Sequence, residues 1–250
     1  MVSKMISRNF ISRELPKYKK SPLSFIVILF PIIAGIITAL ALYKTYKNVQ
    51  VDNIWRILLI GNKIQSIWTL ISIALISVIT SLIISIDKDN KTYKIIFAST
   101  MSKKKYYFEK LIALSLFIFL VIFLYNISIV IIAKIIFVRE DVQYFYIGQI
   151  ILKEYVLILP IAFIQLYLAM YLKNIIGSIA IGLCGSIMGL GVLQQLPKIA
   201  IINPYSYPYY ALVKNQVNSL IIYIVALIYL IIFLILGIKR LVNIDISEVE

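Results

Sequence analysis

Leu111–Ala133 reads LIALSLFIFLVIFLYNISIVIIA and contains no Asp, Glu, Lys or Arg. A stretch of about 20 apolar residues is what an α-helix needs to cross a ~30 Å hydrocarbon core. Five further runs have the same character: Pro22–Tyr43, Ile64–Ile86, Tyr155–Leu172, Ile175–Gln194 and Ser219–Ile238. At 1.5 Å per residue the first of these covers roughly 33 Å and the fourth span, Tyr155–Leu172, roughly 27 Å. The fourth is the shortest and holds Pro160 and Gln165, and its start could lie earlier, near Gly148. Isoleucine dominates the runs, which raises the alternative of a β-barrel. Barrel strands are about ten residues long and alternate apolar with polar. These runs are twice as long and do not alternate. Each must satisfy its own backbone hydrogen bonds, which a helix does.

Composition agrees. Hydrophobic residues make up 62% of the chain and charged residues 14%, against about 45–50% and 25% in soluble domains. Mean hydropathy is +0.96. The reading is an all-α integral membrane protein, residues 1–250 forming a single transmembrane domain of six helices.

The 25 Lys and Arg residues against 11 Asp and Glu give a net charge of +14. In a soluble chain that would suggest nucleic acid. Here the basic residues sit at the ends of apolar runs, which fits anionic headgroups and topology instead, so no nucleic-acid partner is expected. Six spans put both termini on one side. Sixteen of the basic residues fall on that side and nine on the other, so the termini are expected in the cytoplasm.

Three segments lie outside the spans. Residues 1–21 read as an interfacial amphipathic helix, with Met5, Ile6 and Phe10 on one face and Lys4, Arg8 and Arg13 elsewhere; a disordered basic tail is the alternative. Ser21-Pro22 ends it. Residues 195–218 form an external segment containing Asn203-Pro204-Tyr205-Ser206-Tyr207-Pro208-Tyr209-Tyr210. Its tyrosines suit either an aromatic anchor at the membrane surface or a cap over a substrate route. Residues 87–110, DKDNKTYKIIFASTMSKKKYYFEK, carry seven lysines between two spans. Within them Thr92–Thr100 can form a short helix with Tyr93, Ile96 and Phe97 on one face. Such a face could enter a groove of a soluble protein or rest on headgroups.

The chemistry on offer is sparse. The absence of histidine removes every Ser-His-Asp arrangement, and no metal site is expected. The lone Cys184 forms no disulfide within the chain. Nor is there a phosphate-binding glycine loop or a pair of catalytic carboxylates. No acid is expected deep in a span, because Glu154 beside Lys153 reads as snorkelling at the outer edge of the fourth; a carboxylate relay for proton-driven transport is then missing. Asn126 and Gln165 are costly to bury and should find interhelical partners or contact a substrate. In the fifth span Ser178, Gly182 and Ser186 are four apart, as are Gly185 and Gly189. Small residues at that spacing permit close helix contact within the chain or with a second copy, and glycine also permits a hinge.

The segment 87–110 resembles the membrane subunit of ABC-2-type transporters. After their second span these carry a pattern like E-x-x-x-G-T, a short helix, P-x-S-R, and a lysine seven residues on. Here Asp87 stands for the acid and Lys91-Thr92 for Gly-Thr. Thr100-Met101-Ser102-Lys103 stands for P-x-S-R, followed by Lys110. The threonine, the serine and both basic positions match, and the glycine and proline do not. The resemblance implies that 87–110 is a cytoplasmic coupling loop docking on a separate ABC ATPase subunit. Asp87, Thr92, Tyr93, Ile96, Phe97, Ser102, Lys103 and Lys110 would carry the coupling. ATP and Mg would sit on the partner, with no cofactor and no catalysis on this chain. It also implies a second permease, identical or homologous, with spans 1 and 5 near the contact. The overall form resembles permeases of bacteriocin and lantibiotic self-immunity, which export a hydrophobic or cationic peptide; related short permeases export drugs. Richness in Ile, Lys, Asn and Tyr fits the plasma membrane of a low-GC Gram-positive bacterium. A stand-alone membrane immunity or binding protein, without ATP-driven transport, is the alternative.

Overall fold

The computed structural model describes residues 15–19, 21–46, 63–89, 102–136, 141–172, 174–212 and 219–243. Among them every regular element is helical. A short helix α1 (Leu15–Lys19) precedes α2 (Pro22–Tyr46), α3 (Lys63–Asp89), α4 (Lys103–Ile136), α5 (Tyr144–Tyr171) and α6 (Ile175–Gln195). Two 3₁₀ turns, Ile199–Ile201 and Pro204–Ser206, lead into a short α7 (Tyr207–Leu212), and α8 (Ser219–Asn243) closes the order. Helices α2, α3, α4, α5, α6 and α8 are each long and apolar enough to cross a membrane, as the six runs predicted.

The helices overrun most of the expected boundaries, the sixth reaching Asn243, and the differences matter most in the charged segment and the fourth span. The second and third spans run on into the charged segment. Asp87 lies in the last turn of α3, and α4 starts at Lys103, eight residues ahead of Leu111. Lys103–Lys110 is rich in straight-chain residues that favour helix, and the Ser102 hydroxyl accepts from the Lys105 N–H at 3.4 Å. The fourth span is extended further still. It was expected from Tyr155, or from near Gly148, and α5 starts at Tyr144. Gln149 and Lys153 lower the hydropathy of that first part but face outward, while Ile147, Ile150 and Ile151 on the opposite side are buried. Of the proposed N-terminal interfacial helix, α1 is described; residues 1–14 lie outside the described residues.

Close packing builds the bundle. Gly35 of α2 lies so near α4 that an added methyl would collide with Ser128 and with the Tyr125 carbonyl. The ends of α3, α4 and α8 that carry Asp87, Lys103 and Val242 gather at one face of the bundle together with α1. This is called the terminal face below.

Candidate functional site

The two ends of the charged segment meet. Asp87, in the last turn of α3, and Lys110, two turns into α4, form an ion pair of 2.6 Å with both side chains 0% exposed. The pair is wrapped in aromatic rings. Tyr106, one turn before Lys110 on the same face of α4, donates its hydroxyl to Asp87 Oδ2. Lys110 Nζ donates to the Tyr18 hydroxyl at 2.9 Å. It also lies 5.4 Å from the Tyr18 ring centroid and 5.2 Å from that of Tyr106, within cation–π range. Lys17 approaches the second carboxylate oxygen, Oδ1, at 3.7 Å, with its side chain 27% exposed. A buried charge persists when paired and hydrogen-bonded, and each partner here has both.

The last turn of α3 and the first two turns of α4 are therefore fastened to each other and to α1. Lys103 extends the tie by donating to the Val242 carbonyl of α8 at 3.0 Å. One turn further on, Tyr107 reaches the Phe233 carbonyl at 3.3 Å over the bare face of Gly237. Of the coupling residues nominated from sequence, Asp87, Lys103 and Lys110 come together at this face, with Ser102 at the start of α4. Thr92, Tyr93, Ile96 and Phe97 lie outside the described residues. Lys17, Tyr18 and Tyr106 were not nominated. The signal for Tyr106 was its place four residues before Lys110 on a helix; nothing in the sequence ties Tyr18 to a lysine 92 positions away.

A second polar centre joins three features that were separate in sequence. Tyr205, Ser206 and Tyr209 of the tyrosine-rich segment tuck inward against the small-residue face of α6. Tyr205 lies across Gly185 and Gly189, and a methyl group at Gly189 would strike the Tyr205 carbonyl. Ser206 donates to the Gly189 carbonyl at 2.9 Å and Tyr209 to that of Ser186 at 3.2 Å. The Tyr205 hydroxyl accepts from Gln165 Nε2 at 2.8 Å, and the Gln165 oxygen accepts from Ser178 at 3.4 Å. Gly182 faces Ser77 of α3 and the same Gln165 amide. Ser178, Gly182, Gly185, Ser186 and Gly189 are thus met from within the chain, so the stripe serves intramolecular packing rather than standing open to a second copy. The tyrosines are not a surface anchor. Tyr207, Tyr209 and Tyr210 are buried, and burial pushes the Tyr205 phenol up to about 12 from its usual 10.0, against the opposing Gln165 hydrogen bond.

The third centre overturns an expectation. Glu154 does not snorkel; it is 1% exposed, inside the bundle, while its neighbour Lys153 faces outward. Trp68 Nε1 of α3 donates to its Oε1 at 2.9 Å, and Asn126 Nδ2 of α4 to its Oε2 at 3.1 Å. The Trp68 ring stacks on Tyr125 at 3.5 Å and 6°, and the Tyr125 hydroxyl points to Thr38 of α2 at 3.4 Å. Asn126 and Gln165, proposed together for a substrate path, serve two different centres. Glu154 and Gln165 are eleven residues apart on α5, about 16 Å along the axis. The partners of this carboxylate come from the helices across from it, not from its neighbour in sequence.

Six apolar helices, a face where α1, α3 and α4 are tied by a buried ion pair, and polar centres between helices define a multi-span membrane protein. The sequence profile described as ABC-2 family transporter protein matches residues 10–189. The chain belongs to that family. It is accordingly the membrane subunit of a transporter, with ATP hydrolysis on a partner ABC ATPase. Among curated proteins none matches.

Proposed function

We propose that the chain is the permease of an ABC exporter that moves a hydrophobic or cationic peptide, or a drug, out of the membrane, with bacteriocin or lantibiotic self-immunity as its role. The terminal face would be cytoplasmic, in the plasma membrane of a Gram-positive cell. A second permease would complete the path, and ATP and Mg would be bound by the ATPase. The observation that carries this reading is the buried Asp87–Lys110 pair. A loop that merely rested on headgroups would not need its base fastened by a desolvated ion pair; a loop that is pushed and pulled by a partner would. Force applied to it then reaches α1, α3, α4 and, through Lys103, α8.

The test is purification of the full chain from native membranes, followed by assay of immunity. An ATPase is expected to accompany it, and Tyr93→Ala with Phe97→Ala is expected to abolish both association and protection. Protection that survives ATP depletion, with no ATPase bound, would establish the alternative of a stand-alone immunity protein and refute export.

A further inference from the structure

Among the described residues Asp87, Glu109 and Glu154 are the buried carboxylates; Asp87 and Glu154 lie beside opposite ends of α3, and their surroundings differ in one respect. Asp87 faces Lys110 and Lys17. Glu154 faces Trp68 and Asn126, both neutral donors. Trp68 and Asp87 are nineteen residues apart, so the two acids are separated by about 28 Å along the bundle. Around Glu154, α3 contributes Trp68 and α4 contributes Asn126, with Tyr125 stacked on Trp68 and bonded in turn to Thr38 of α2; among the described residues no lysine or arginine pairs with it. Lys153, next to it on α5, points out of the bundle.

We infer that Glu154 is the anchor of a cation subsite, which takes the ammonium or guanidinium group of an amphipathic substrate. A buried carboxylate is stabilised by a positive charge brought close to it in low dielectric. Two N–H donors orient its oxygens, and the stacked Trp68–Tyr125 rings add a π-surface on which a cation is favoured. Glutamine could accept hydrogen bonds at the same place without any charge to desolvate. What the carboxylate adds is attraction for a positive group, and among the described residues that group is not supplied from within the chain. Three helices meet at the carboxylate, so a cation entering it engages α3, α4 and α5 at once, and α2 is reached through the Tyr125–Thr38 hydrogen bond. The subsite's part in transport rests on the export reading above; its charge selectivity does not.

The chain has two tryptophans, so Trp55→Phe leaves Trp68 as the reporter bonded to Glu154. This full-length variant is placed in nanodiscs of zwitterionic lipid and titrated with dodecylammonium, with dodecanol and with sodium ions. Dodecylammonium is expected to give a saturable change in Trp68 emission and dodecanol none. Adding Glu154→Gln is expected to weaken the apparent affinity about tenfold or more, the effect of losing one desolvated charge pair. Equal responses with and without the E154Q substitution refute the subsite. So do equal responses to dodecylammonium and dodecanol, a comparison that stands even if the E154Q variant fails to fold. A sodium response matching that of dodecylammonium refutes the assignment to an organic cation. Selective binding by a chain that recruits no ATPase would keep the subsite and sink the export reading; the converse result would do the reverse.

Discussion

Removing the Lys110 charge tests the fastening of the loop directly. Lys110→Met keeps the length and apolar stem of the side chain but leaves Asp87 with the Tyr106 hydroxyl and a lysine 3.7 Å away. Breaking a buried pair by deleting one partner costs about 3–5 kcal/mol, because the other charge stays desolvated. Lys17, partly exposed, can move toward Asp87 and offset some of this, so the lower end, about 3 kcal/mol, is expected. Asp87→Asn alone leaves Lys110 facing two phenol rings and the Tyr18 hydroxyl, and a similar loss follows. The double variant removes both charges and should cost less than the two singles summed, by about 2–3 kcal/mol of coupling. Reversible unfolding in mixed detergent–SDS micelles, followed by circular dichroism, measures all three. Single losses under about 1 kcal/mol, or strict additivity, would show that the pair does not hold the loop.

Three further outcomes follow from the other centres. Gly189→Ala should destabilise by about 1–3 kcal/mol, since its methyl meets the Tyr205 backbone, while Gly191→Ala, with open space around it, should be neutral or stabilising by up to about 1 kcal/mol in the same unfolding assay. Gln165→Leu leaves the Tyr205 and Ser178 hydroxyls without their amide partner and should cost about 1–3 kcal/mol; loss of less than that would mean the tyrosine is held by packing alone. Tyr205 ionises near 10.0 when unfolded and near 12 when folded. Its contribution to stability is complete below pH 10 and falls away as pH rises toward 12. Tyr205→Phe should lessen that alkaline loss in melts taken across the range.

The spans were legible because a window of hydropathy reads the property that a bilayer selects, and Leu111–Ala133 has no competing interpretation. The start of α5 was not, because Gln149, Lys153 and Glu154 dilute the window although they point in different directions, two outward and one inward. The resemblance named Asp87 and Lys110 as functional positions but gave no reason for their types; only the antiparallel arrangement of α3 and α4 shows that they neutralise each other. The small-residue stripe of α6 was visible, and its occupant was not. Tyr205 and Gly189 are sixteen residues apart with two turns and two prolines between them, and no helical periodicity links them. Glu154 was misread for the same reason: its partners Trp68 and Asn126 are 86 and 28 positions away. Local pattern fixes where the chain crosses, while long-range hydrogen bonding decides what each polar residue is for.

The unbroken length of α4 sets how motion would travel. From Lys103 to Ile136 it is one rod of 34 residues, about 50 Å long. Its close crossing against Gly35 falls at Ser128, with about 38 Å of rod on the loop side and about 12 Å beyond. Tilting about that fulcrum would act as a reduction gear: a push of about 3 Å at Lys103 would become about 1 Å, in the opposite direction, at Ile136, and Asn126 would stay almost still beside the pivot.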